Sequence, residues 1–117
     1  MSNDIKRHQP GPVLSRAVEY GNMVFLAGLT ADDRAAGIKG QTEQILNKID
    51  QFLAAAGSNK SRLLSANVWI TDMRSKAEMD AAWTAWVDKA NTPARACVEA
   101  RLGSPDTLVE IMVTAAK

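Results

Sequence analysis

Arg62-Leu-Leu-Ser-Ala-Asn-Val-Trp-Ile-Thr71 has a β-branched and aromatic centre, Val68-Trp69-Ile70. It reads as a strand whose length fits an interior place in a sheet. A helical pattern lies on either side of it. Before it, Ile45, Leu46, Ile49, Phe52, Leu53 and Ala56 recur at i, i+1, i+4, i+7, i+8 and i+11, the stripe of an amphipathic helix over 41–56, with Gly57 placed to cap it. After it, Ser75-Lys-Ala-Glu78 has the spacing of a capping box, followed by an inward stripe of Met79, Trp83, Trp86, Val87 and Ala90 that ends before Pro93.

Further out, residues 13–20 and 23–29 read as two strands joined by the tight-turn pair Gly21-Asn22. Residues 94–102 and 107–115 read as two more, parted by Gly103-Ser-Pro-Asp106. The stretch 30–40 mixes small, charged and glycine residues and reads as a surface loop. The order β-β-α-β-α-β-β places helical crossovers around 62–71 and predicts a mixed sheet with both helices on one face, a two-layer α+β domain. Residues 13–117 form that single domain, and residues 1–12, with Pro10 and Gly11, read as a mobile leader.

Composition narrows the chemistry. The chain has 117 residues, 46% of them hydrophobic, with 14 Lys+Arg against 13 Asp+Glu and a net charge of +1. That suits one modest core and gives no basic stripe for a phosphate backbone, so nucleic acid is not an expected partner. The single Cys97 cannot close an intramolecular disulfide, and no apolar run approaches the roughly 20 residues that span a bilayer. A cytoplasmic protein without a membrane partner is expected. The one histidine, His8, falls in the leader, so neither a Ser-His-Asp device nor a His-bearing zinc site has a well-held imidazole. Asp32 and Asp33 are adjacent and point apart, which suits loop solvation better than a metal. Trp83 and Trp86, at helical spacing, read as core.

Strand parity locates the candidate chemistry. Val24 and Leu26 oppose Phe25, Ala27 and Leu29, while Leu64, Ala66, Val68 and Ile70 oppose Leu63 and Trp69. Both sheet faces are apolar, so the face without helices calls for cover by another copy of the chain. In 94–102, Ala96, Val98, Ala100 and Leu102 oppose Arg95, Cys97, Glu99 and Arg101; in 107–115, Val109, Ile111, Val113 and Ala115 oppose Leu108, Glu110, Met112 and Thr114. If the apolar sets face the helices, Arg95, Cys97 and Glu110 share the open face, in an intersubunit cleft. An arginine and a carboxylate there are either a cross-strand ion pair or a site. Arg95 has the fork that grips a carboxylate, Glu110 is suited to hold water or move a proton, and Cys97 reads as a small apolar filler.

The segment Thr92-Pro-Ala-Arg-Ala-Cys-Val-Glu-Ala-Arg-Leu102, followed by Leu108-Val-Glu-Ile111, resembles the C-terminal signature of the RidA/YjgF family. Gly21-Asn-Met-Val-Phe-Leu-Ala-Gly28, and the span from Ala54-Ala-Ala-Gly57 through Val68-Trp-Ile-Thr-Asp72, look like further family segments. The resemblance implies a chorismate-mutase-like fold, a homotrimer with a cleft at each subunit boundary, and an enzyme of the 2-iminobutanoate/2-iminopropanoate deaminase type. Such an enzyme hydrolyses imino acids to keto acids and ammonia and so removes reactive intermediates, without metal or cofactor. By that similarity Arg95 holds the substrate carboxylate, the Cys97 backbone helps position water, and Glu110 orients or activates it. Leu14 and Ala27 would line the cleft where many members carry a tyrosine and a serine, which implies a more apolar wall and an altered substrate. Two other readings are a non-catalytic trimer that binds small carboxylates or acts like a chaperone, and a deaminase of an aromatic-degradation intermediate such as 2-aminomuconate. Ribonuclease activity fits a near-neutral chain poorly.

Overall fold

A computed structural model describes residues 4–117. Its main elements are β1 (Ile5–Pro10), β2 (Ser15–Tyr20), β3 (Met23–Leu26), α1 (Ile38–Ala55), β4 (Leu63–Ile70), α2 (Lys76–Trp86), β5 (Ala94–Glu99) and β6 (Val109–Ala116). One six-stranded sheet runs β1-β2-β3-β6-β4-β5. Every pairing is antiparallel except β4 with β5, the pair that α2 connects. Both helices cover one face, giving the two-layer α+β architecture.

The core lies between that face and the helices. Ile45, Leu46, Ile49 and Leu53 of α1 and Met79, Ala82 and Trp83 of α2 meet Val24, Leu26, Ala66, Val68, Ile70, Val109, Ile111, Val113 and Ala115 of the strands. Gly57 caps α1 with φ 80°, while its N–H donates to the Ala54 carbonyl and that of Ser58 to Leu53, a paired closure that needs a left-handed residue. At the β2–β3 turn the positive φ falls on Gly21. The capping box at Ser75 does not form: the Asp72 side chain instead accepts the Arg74 N–H at 2.9 Å and caps a 3-10 turn, Met73–Ser75, that leads into α2.

Two polar side chains of α1, Gln41 and Thr42, are fully enclosed within this layer. Gln41 of α1 sends its Nε2 to the carbonyls of Arg34, Ala36 and Asp106 at 3.3, 3.0 and 2.9 Å, and its Oε1 accepts the Leu108 N–H at 3.0 Å. It fastens the helix to the loop before it and to the approach into β6.

Residues 1–12 were expected to be a mobile leader, but Ile5–Pro10 form edge strand β1, with Ile5 opposite Tyr20 and His8 opposite Ala17. Residues 1–3 lie outside the described part. The strand is mostly exposed, so it leaves no hydrophobic pattern; its ladder and one ionic cluster hold it. His8 Nε2 lies 2.5 Å from Glu19 Oε2, and Lys117 Nζ lies 2.7 Å from Glu19 Oε1. Glu19 is buried, and hydrogen bonds from Lys117 and then His8 outweigh desolvation to keep its carboxyl below the usual range. His8 is therefore engaged rather than free in solvent, in a structural tie.

Two irregularities shift parity along the strands. Residues 23–29 were expected as one strand, but β3 ends at Leu26, and Leu29 re-pairs with Ile111 and turns into the core. In β4 the register shifts between Leu63 and Ser65, so Leu63 is buried and Leu64 exposed, the reverse of the expected alternation.

Candidate functional site

Arg95 lies in β5 opposite Ala66, and Cys97 lies opposite Val68. Because Ala66 and Val68 belong to the core, both β5 residues are on the helix face. Glu110 lies opposite Trp69 in β6, between buried Val109 and Ile111, and therefore on the other face. The expected sharing of one face by Arg95, Cys97 and Glu110 is thus corrected: within one chain, Arg95 and Glu110 are on opposite sides of the sheet. Alternation alone would turn the alanines of β5 to the core, but β5 is an edge strand whose Ala94, Ala96 and Val98 face solvent. What offsets burial of Arg95 is a carboxylate on the helix above it.

That carboxylate is Asp80 of α2. Its Oδ1 lies 2.8 Å from Arg95 Nη2, and its Oδ2 lies 2.6 Å from Lys76 Nζ one helical turn back. The Arg95 guanidinium also stacks 5.2 Å from the centre of the Trp83 ring, with Nη1 3.9 Å from the Met79 sulfur. Trp83 is thus core, as its spacing predicts, and also a floor for the cation. Partial burial works against the Asp80 carboxylate, but hydrogen bonds from Lys76 and Arg95 outweigh it and hold the carboxyl below its ordinary value. For Cys97, burial pushes the thiol up against the opposing charges of Arg95 and Lys76, so the thiol stays protonated at neutral pH and packs on the core.

On the opposite face the Glu110 carboxylate has no hydrogen-bond or ion-pair partner among the described residues. It lies over Gly28, where an added Cβ would collide with its Oε2. A glycine inside a strand pattern often marks such a close approach, a signal by which Gly28 could be picked out from sequence. Ala27 beside it donates its N–H to the Arg16 carbonyl at 2.9 Å, and Leu14 is half-exposed at the β1–β2 turn. Phe25, Leu64, Val98 and Met112 are also exposed. A cleft of about 750 Å³ at the ends of β4 and β5 is lined by Thr71, Glu99, Arg101 and Ser104 among others, and includes neither Arg95 nor Glu110.

Comparison with known proteins turns this geometry into an assignment. A family described as Endoribonuclease L-PSP matches residues 6–117. A RutC family protein of Haemophilus ducreyi is 40% identical over 102 residues, 87% of each chain, and one of Haemophilus influenzae is 39% identical over 95% of this chain and 97% of its own. The crystal structure of NMB1025 from Neisseria meningitidis, described as a member of the YjgF protein family, superposes with a TM-score of 0.93 at 42% identity, covering 98% of this chain and 96% of that one. The chain belongs to the YjgF/RutC family. The family match takes in residues 6–117, nearly all of β1 included, and the Pro93-Ala-Arg95-Ala-Cys97 and Glu110 segments that suggest the family carry the two charged groups above.

Gly28→Ala provides a test of the Glu110 arrangement in this YjgF-family chain. The clash falls on the far end of a flexible side chain, so the carboxylate should swing away while stability changes by no more than about 1 kcal/mol. Any reaction that depends on Glu110 should fall in this variant with no matching shift in the denaturation midpoint.

Proposed function

We propose that the protein hydrolyses 2-imino acids to 2-keto acids and ammonia at sites completed by neighbouring copies of the chain. The observation that carries this reading is the partly buried Glu110 carboxylate, without a partner among the described residues and lying over Gly28, in a YjgF-family chain that also has Arg95. Arg95 and Glu110 cannot grip one small molecule from opposite faces of the same sheet. The free edge of β5, with Arg95 and the Cys97 backbone, must therefore meet the open face of another copy. A homotrimer with three equivalent clefts satisfies that requirement and covers Phe25 and Met112.

In such a cleft Arg95 holds the substrate carboxylate and the Cys97 backbone helps fix a water. Glu110 takes a proton from that water as its oxygen bonds to the imine carbon and passes it to the nitrogen, giving a neutral carbinolamine. Glu110 then carries the carbinolamine hydroxyl proton to the nitrogen as the C–N bond breaks, releasing ammonia and leaving the keto acid. The imine carbon is already electrophilic, so positioning and one proton shuttle suffice. Leu14 and Ala27, which lack hydroxyls, suit a more apolar imino acid, and the free thiol of Cys97 suits a reducing cytoplasm.

The test generates 2-imino acids of several side-chain sizes with an amino acid oxidase in the presence of semicarbazide. The wild-type protein should lower semicarbazone formation. Arg95→Ala should lose that effect while its size-exclusion profile still shows the oligomer. A variant as active as wild type would defeat the assignment.

A further inference from the structure

The Arg95 guanidinium is held on three sides, by the Asp80 carboxylate, the Trp83 ring and the Met79 sulfur. A carboxylate ligand arriving there finds one arm of the fork already engaged, so a two-pronged grip requires Asp80 to give way. Asp80 has somewhere to go, because its other oxygen is already 2.6 Å from Lys76 Nζ, four residues back on the same helix. The three side chains are between one-fifth and two-fifths exposed, so each remains within reach of a ligand and of solvent. Arg95, Lys76 and Asp80 together carry one net positive charge. That balance matches a ligand with a single carboxylate. Within this three-residue cluster a second carboxylate would find no unmatched cation and would face Asp80.

We propose that Asp80 is the specificity-determining counter-ion of the Arg95 site: it occupies the guanidinium while the site is empty, passes to Lys76 when a carboxylate ligand binds, and restricts the site to monocarboxylates. This rests on the reading of Arg95 as the substrate anchor. Asp80 is a positioning and selecting residue and takes no part in bond making.

The experiment measures binding of two keto acids by calorimetry, 2-oxobutanoate with one carboxylate and 2-oxoglutarate with two, to wild type, Asp80→Asn, Lys76→Met and the double variant. Wild type should favour the monocarboxylate. Asp80→Asn removes the competitor and leaves the cluster with two positive charges, so both ligands should bind more tightly. The dicarboxylate should gain the more, shifting the preference by about twofold to fivefold, the scale of one partly screened charge. Lys76→Met should weaken binding in the wild-type background, where Asp80 loses its alternative partner, and should do so less for the monocarboxylate once Asp80 is asparagine. An unchanged ligand preference in Asp80→Asn, weaker binding of both acids by it, or no binding by it overturns the proposal. Arg95→Ala separates the two levels: if it binds keto acids like wild type, the anchor reading itself fails, whatever Asp80 does.

Discussion

Glu110→Gln is expected to lower imine turnover by about 10²–10⁴-fold, the usual scale for removing a general base. The amide keeps the size of the side chain but cannot accept a proton from water as the C–O bond forms. Because the carboxylate has no partner among the described residues, the substitution orphans no buried donor, and the fold should be untouched. Keto-acid affinity, which the proposed function assigns to Arg95, should stay close to wild type. The combination of lost turnover and retained binding, measured by the semicarbazide assay and by calorimetry, separates a water-activating role from a structural one. Turnover at the wild-type rate would remove Glu110 from the chemistry and favour a protein that only captures carboxylates.

Gln41→Leu should have the largest effect on stability of any polar replacement in the core. The glutamine is fully enclosed, and one side chain satisfies three carbonyls and the Leu108 N–H. Leucine fills a similar volume but can neither donate nor accept, and each buried backbone group left without a partner costs about 1–3 kcal/mol. Some of the carbonyls will find water, so the expected net loss is about 3 kcal/mol, or roughly 10 °C in the thermal midpoint. Urea denaturation of the variant beside wild type measures it. A loss under about 1 kcal/mol would mean that ordered water replaces the amide. Leu108 leads directly into β6, so the same variant should loosen the segment that delivers Glu110.

The parts of the molecule legible from sequence are those in which burial alone selects residues. The stripe from Ile45 to Leu53, the Met79-Trp83 stripe and the alternation of Val109, Ile111, Val113 and Ala115 all face the core as their periods predict. Parity failed where something other than burial decides. In β5 a charged residue points inward because Asp80 and Trp83 receive it, and the alanines beside it fit either side. In β1 the ladder and the Glu19 cluster hold a strand that has almost no apolar residues. In β4 a register shift exchanges Leu63 and Leu64, a change that composition does not record. For the candidate site, residue types and the family-like motif pointed to Arg95 and Glu110 but not to their relative orientation. Asp80 gave no sign of its role, since an aspartate beside Met79 on a helix reads as an ordinary surface charge.

The strand that bears Glu110 is made last among the described elements yet sits inside the sheet, hydrogen-bonded to β3 on one side and to β4 on the other. During synthesis, the earlier hairpin, both helices and the β4–β5 pair must wait as two unjoined pieces, with their apolar sides exposed, until residues 109–116 clear the ribosome. A nascent chain stalled before that point would hold every group around Arg95 and still be a target for chaperones and proteases.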